Sequence, residues 1–301
     1  MKGFVFILGN IIVASLQSVL LSYWLKGINV FLVMSMSFSI VLLLYSSLFL
    51  LKGRHFVEGL KSMKKEILLL NMVSACNWIF YFFAIKFINP AAVVTITQCM
   101  PAVFTSLFLV VSGKKVTVTT LFFHTLILLC TIFLVQDYIS RDSGIQSRSI
   151  TGIGIALLCA MTVAMTIGVS RTFSERKIPS YVVLALRFPF LIVISWSLTP
   201  LVAVQNITLY QVYIILFVSI VGLAMANFFL QKGIEYATPL MVSTTLTISP
   251  AVVLLFDKIN RHDYLMTTQS FTILFIVFLS LSCIYLNNRR TSAQMVHRQT
   301  S

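Results

Sequence analysis

The stretch AIKFINPAAVVTITQCMPAV at residues 84–103 returns as GIEYATPLMVSTTLTISPAV at residues 233–252. Seven of these twenty positions are identical at a constant offset of 149. They include Pro90 with Pro239, Thr95 with Thr244, and the triplet Pro101-Ala102-Val103 with Pro250-Ala251-Val252. Two units of that length account for nearly all of the 301 residues, which divides the chain into a first unit, 1–149, and a second, 150–301. How often each unit crosses a membrane then decides whether the copies point the same way.

With 58% hydrophobic and 10% charged residues, the composition describes an integral membrane protein and excludes a soluble domain. A hydrocarbon core of about 30 Å needs roughly 20 apolar residues of helix. Apolar stretches of that length fall at 4–25, 28–51, 67–86, 89–112, 116–136, 150–170, 181–204, 210–231, 236–256 and 266–287. The expected fold is therefore all-α, with ten transmembrane helices. Five is odd, so two five-helix units in succession have opposite topology, an inverted repeat. The first stretch lacks a small-residue cleavage site before Lys26 and is expected to be a retained helix.

Short loops rich in Lys and Arg stay in the cytoplasm. With a cytoplasmic N-terminus, Lys26, Lys86, Arg141, Arg148, Lys258 and Arg261 lie outside, Arg187 lies within a span, and the remaining fifteen of the 22 Lys and Arg lie inside. Both termini are expected to be cytoplasmic, in a bacterial inner membrane. The formal net charge of +14 is then a topology signal plus attraction to anionic membrane lipids. Nucleic acid is excluded as a partner, because the basic residues are divided among short loops.

Certain residues resemble the drug/metabolite transporter superfamily, in particular its EamA-like branch. They are Tyr81 to Lys86 leading to Met100-Pro101-Ala102-Val103, their counterparts Asn227 to Glu235 leading to Ser249-Pro250-Ala251-Val252, and Leu184-Ala185-Leu186-Arg187-Phe188. The resemblance implies ten helices in two five-helix repeats and transport of a small metabolite. Amino acids or related compounds are the implied cargo, and export is the favoured direction. The chain departs from the family where a repeat's fourth helix often ends in Gly-Glu: Ser112-Gly113-Lys114-Lys115 stands in one half and Phe256-Asp257-Lys258 in the other.

Polar side chains in hydrocarbon cost several kcal/mol unless they face partners or water, so those inside spans are expected to face inward. Asn71, Ser74, Trp78 and Tyr81 share one helix face, with Asn77 beside it. Thr95 and Gln98 map by the 149 offset onto Thr244 and Thr247. Asn10 and Gln17, Thr162 and Thr166, and Asn227 complete the expected lining of a central cavity. For Ser and Thr the competing reading is helix-to-helix packing, and for Trp78 a place in the interfacial aromatic belt. Arg187 is the one basic residue well inside a span. It either snorkels to the cytoplasmic face or attracts an anionic group of the substrate. Pro101, Pro189 and Pro250 are expected bending points, since each removes a backbone donor. Lys86 and Glu235 are expected to anchor helix ends.

Glu58, Glu66, Asp137, Asp142, Glu175, Glu235, Asp257 and Asp263, the chain's acids, fall in loops or at span ends, which disfavours proton coupling. His124 is the remaining titratable candidate, expected in the core or at an interface. Cys76, Cys99, Cys130, Cys159 and Cys283 lack metal-ligand spacing and are expected to pack as small apolar residues. Neither a nucleotide-binding loop nor an enzymatic signature occurs, so no cofactor, metal or catalytic residue is expected. The expected activity is secondary transport of a small polar organic metabolite by alternating access, as a monomer or homodimer. Uptake or exchange, for instance of a nucleoside-like compound such as S-adenosylmethionine, is the alternative within transport, and a non-transporting membrane sensor or scaffold is the alternative outside it.

Overall fold

The computed structural model describes residues 2–24, 28–53, 56–88, 90–141, 146–261 and 268–300. It is all-α, with ten helices long and apolar enough to cross a membrane among the described residues. The first six run over Lys2–Trp24, Val30–Lys52, Lys64–Phe87, Pro90–Val111, Val118–Arg141 and Gln146–Glu175. The seventh span is Ser180–Ser197, the eighth Leu209–Tyr236 and the ninth Pro239–Phe256, and the tenth lies within the helix Thr268–Thr300.

Local chemistry sets the helix ends. Asn29 caps the second helix, its Oδ1 accepting from the backbone N–H of Phe31 at 2.9 Å. Gly113, at φ 71°, lets the chain turn off the fourth helix while the Lys114 N–H bonds Leu109 O at 2.9 Å. Thr238 caps the ninth span ahead of Pro239, whose missing N–H costs nothing in a first turn. The seventh span ends at Ser197, earlier than its apolar composition suggests. Pro200 forces extended backbone there, and a separate short helix, Leu201–Gln205, follows. The eighth runs on to Tyr236, past the expected 231.

Three spans are irregular. The seventh is broken at Phe188, between Ser180–Arg187 and Pro189–Ser197. The eighth contains a π-helical stretch, Val218–Ala224. The ninth is interrupted between Leu246 and Ser249. Pro189 and Pro250 explain two of these, since neither can donate to the carbonyl four residues earlier. Pro101 sits inside a continuous helix, so a proline in this position does not by itself break the rod.

Packing joins the third span to the sixth and the eighth to the first. The fourth packs on the sixth and fifth, the ninth on the first and tenth. The fifth meets the tenth, the fourth the ninth, and the second the seventh. Large apolar side chains such as Leu51, Val111, Phe122, Leu201 and Phe271 are exposed, a surface suited to lipid and a liability in water. Buried hydroxyls, among them Ser74, Ser106, Thr131, Ser243 and Ser280, let helix backbones approach closely.

Candidate functional site

The break in the seventh span is spliced by the third. Pro189 has no N–H for Ala185 O, and the chain bends at Phe188. One bond on, the side chain of Asn71 enters the ladder: Nδ2 donates to Leu186 O at 2.6 Å and to Ile67 O at 3.0 Å, while Oδ1 accepts from the Phe190 N–H at 3.3 Å. A helical turn further along the third span, Ser74 Oγ accepts from Arg187 Nε at 3.0 Å. One face of the guanidinium lies 5.4 Å from the centre of the Phe188 ring.

Arg187 is thus held inside the bundle, 2% exposed, and does not snorkel to a surface. Its terminal nitrogens Nη1 and Nη2 form no hydrogen bond among the described residues, and Nη1 is sealed from solvent. Among those residues no carboxylate pairs with it. A buried charge left so costs more than the ~1–3 kcal/mol of an unsatisfied neutral donor.

Beside Arg187 lies a cavity of about 110 Å³. The first span supplies Asn10, Ala14, Gln17 and Ser18, the third Asn77, Trp78 and Tyr81, the fourth Thr97 and Gln98, and the sixth Cys159, Val163, Thr166 and Ile167. The seventh adds Arg187, the eighth Ala226, Asn227 and Leu230, and the ninth Leu246. Trp78 packs edge-on against Phe38 at 4.9 Å and Tyr81 at 5.9 Å, so it stands within the bundle and not in an interfacial belt. Its Nε1 is buried without a partner, as is Thr166 Oγ1. Ser18 donates to Ala14 O at 2.9 Å, so the Tyr81 hydroxyl is the donor across 3.3 Å to Ser18 Oγ.

The amide groups have fixed orientations. Asn10 Nδ2 donates to Ala226 O and Asn227 Nδ2 to Leu223 O, each at 2.8 Å, which leaves both Oδ1 atoms as acceptors. Cys159 Sγ donates to Asn77 Oδ1 at 3.3 Å. Gln17 lies against the π-helical stretch, where a Cβ on Gly222 would come within 2.7 Å of Gln17 Cγ. Gly222 is therefore a close-approach glycine.

The structure brings nine of the sequence-selected residues to this cavity: Asn10, Gln17, Asn77, Trp78, Tyr81, Gln98, Thr166, Arg187 and Asn227. Thr95, Thr162, Thr244 and Thr247 are buried but do not border it. Thr244 Oγ1 donates to Leu240 O at 2.7 Å and accepts from His124 Nε2 at 2.9 Å. On the other side of the ring, His124 Nδ1 lies 2.7 Å from Ser106 Oγ. The histidine ties the fourth, fifth and ninth spans together. Thr247 bonds Thr244 O at 2.7 Å and Ser280. Ser18, Thr97 and Cys159 border the cavity unselected. Their only sequence signal was adjacency, Ser18 to Gln17 and Thr97 to Gln98.

No acid borders the cavity among the described residues. Glu235 accepts from Lys232 at 2.9 Å and Ser180 at 2.6 Å. Nearby, Arg171 Nη1 donates to the carbonyls of Ile234, Glu235 and Ala237 at the end of the eighth span. Lys86 is exposed over the Phe83 ring at 5.5 Å. The side chain of Asp257 lies outside the described residues. Among those described, no group of His, Cys, Asp and Glu converges as metal ligands do.

No family model and no curated protein matches the chain. A solved crystal structure described only as that of a protein superposes with a TM-score of 0.74, covering 96% of this chain and 98% of that one at 14% identity. That likeness is one of fold alone.

Proposed function

We propose that this chain is a secondary transporter working by alternating access in a bacterial inner membrane, with both termini cytoplasmic, as the EamA-like resemblance suggests. Its cargo is a small polar organic metabolite, with amino acids or related compounds the class the resemblance favours and export the favoured direction. The observation that carries this reading is the polar cavity inside the bundle, lined by spans from both halves of the chain and holding a buried arginine with no counter-ion among the described residues.

Two further features support it. Advancing each span by five carries the most extensive packing contacts onto one another: third on sixth becomes eighth on first, fourth on sixth becomes ninth on first, and second on seventh becomes seventh on second, whereas the eighth and ninth also meet the sixth without a counterpart at the first. That is the pattern expected of two repeats, and opposed odd repeats give rocking about a midplane site. The broken seventh and ninth spans provide points where helix halves can tilt.

Purified protein in liposomes, given a panel of radiolabelled metabolites with and without preloaded counter-substrate and a pH gradient, tests the reading. Flux of at least one compound is expected. No flux for any of them removes the transport reading, and saturable binding without flux leaves the sensor. Flux only after preloading assigns exchange, and acceleration by a pH gradient contradicts the inference from the missing interior acids.

A further inference from the structure

The cavity has a cationic side and a side of amide groups. On the side of the third and seventh spans stands Arg187, whose Nη2 makes no hydrogen bond among the described residues and, unlike Nη1 and Trp78 Nε1, is not sealed off. On the side of the first and eighth spans stand the amides of Asn10, Gln17 and Asn227. One N–H of Asn10 and one of Asn227 are committed to Ala226 O and Leu223 O, and each Oδ1 is left as an acceptor. Arginine is always charged, and no acid borders the cavity among the described residues. The lining therefore has two poles but a net charge of +1. A ligand of net charge −1 balances it, whereas a zwitterion leaves one charge uncompensated in a low-dielectric site.

We propose that the site selects small organic acids of net charge −1 that carry a neutral hydrogen-bond donor, of the hydroxycarboxylate type. This rests on the transport reading for its physiological meaning, though not for its test, and replaces the amino-acid cargo of that reading with a hydroxy acid. The carboxylate takes Arg187 Nη2, and the hydroxyl donates to the Asn10 or Asn227 oxygen.

A near-isosteric series separates the terms: lactate (anion with a donor), propionate (anion without one), alanine (zwitterion) and lactamide (neutral). Binding of radiolabelled lactate to the detergent-solubilised full chain, with the others and chloride as competitors, needs no transport. Lactate is expected to bind best, with propionate and alanine each weaker by about tenfold and lactamide weaker still. Arg187→Gln should abolish the preference for lactate over lactamide, and Asn10→Leu combined with Asn227→Leu should erase the preference for lactate over propionate while keeping that over lactamide. A thermal midpoint close to that of the parent establishes that each variant is folded. Lactamide or alanine competing as well as lactate overturns the proposal. So does chloride competing as well, which marks an inorganic anion site, or no binding by any member. Binding in this order without flux in liposomes retains the proposal and removes transport; flux of cations or neutral compounds that lactate does not inhibit does the reverse.

Discussion

The side chain of Asn71 stands in the backbone ladder of a different helix, accepting from the Phe190 N–H at 3.3 Å while donating to Leu186 O at 2.6 Å. In a regular helix Leu186 O and Phe190 N would bond each other. The break at Phe188 separates them, and one amide, able to donate and accept at once, satisfies both. With Ser74 holding Arg187 a turn away, the third span fixes where the charge sits.

Asn71→Ala should therefore lower stability by about 1–3 kcal/mol, the cost of exposing buried backbone groups without partners, and weaken ligand binding with it. Asn71→Asp keeps the acceptor and loses the donor. Its midpoint should fall below that of Asn71→Ala, because a buried carboxylate then faces the Leu186 and Ile67 carbonyls. Thermal unfolding in detergent checks both. An Asn71→Ala midpoint equal to the parent's would show that the splice contributes nothing.

Gly222→Ala is expected to destabilise by about 1–3 kcal/mol, because the new methyl meets Gln17 Cγ at 2.7 Å. Gly154 is the control, since a methyl added there would have nothing within 4 Å. Gly154→Ala in mid-helix should be neutral or stabilising by about 0.5–1 kcal/mol. The same midpoint shift for both would refute the close approach.

His124 bridges Ser106 and Thr244 through opposite ring nitrogens. His124→Leu should cost about 1–3 kcal/mol. Adding Ser106→Ala to it should recover part of that, since the hydroxyl stranded by the first change is removed. A double-mutant cycle measures the coupling, and strict additivity contradicts the bridge.

Arg171 bonds three carbonyls at the end of the eighth span and also pairs with Glu175 at 3.2 Å. The carbonyl contacts are the part-buried ones, so Arg171→Ala should cost about 1–3 kcal/mol. Glu175 is exposed, and Glu175→Ala should stay within about 0.5 kcal/mol. Equal losses would shift the credit to the ion pair.

Much of the cavity was legible in the residues. Asn10, Gln17, Asn77, Trp78, Tyr81, Gln98, Arg187 and Asn227 are polar or amphipathic groups in apolar runs, and hydrocarbon cannot accommodate them, so they turn inward. For Thr95, Thr244 and Thr247 the same argument gives burial but not a destination. A threonine hydroxyl is satisfied by its own helix, as Thr244 is by Leu240 O and Thr247 by Thr244 O, so it can face a neighbouring helix as readily as a cavity. The face that reaches the cavity on the fourth span is that of Thr97 and Gln98.

By itself the sequence determined the solvent and the ten spans, because these follow from a local quantity, apolar length; it marked three prolines as bending points, but Pro189 and Pro250 stand at breaks whereas Pro101 does not, a difference the missing N–H cannot make. Tertiary structure alone decided the rest. The π-helical stretch Val218–Ala224 leaves no mark in residue type beyond Gly222. Whether Arg187 reached a surface or stayed within depended on Ser74 and Phe188 lying beside it. Helix rotation is set by packing between spans distant in the chain, and it is rotation that turns a list of polar residues into a cavity with a cation on one wall and amide groups on the other.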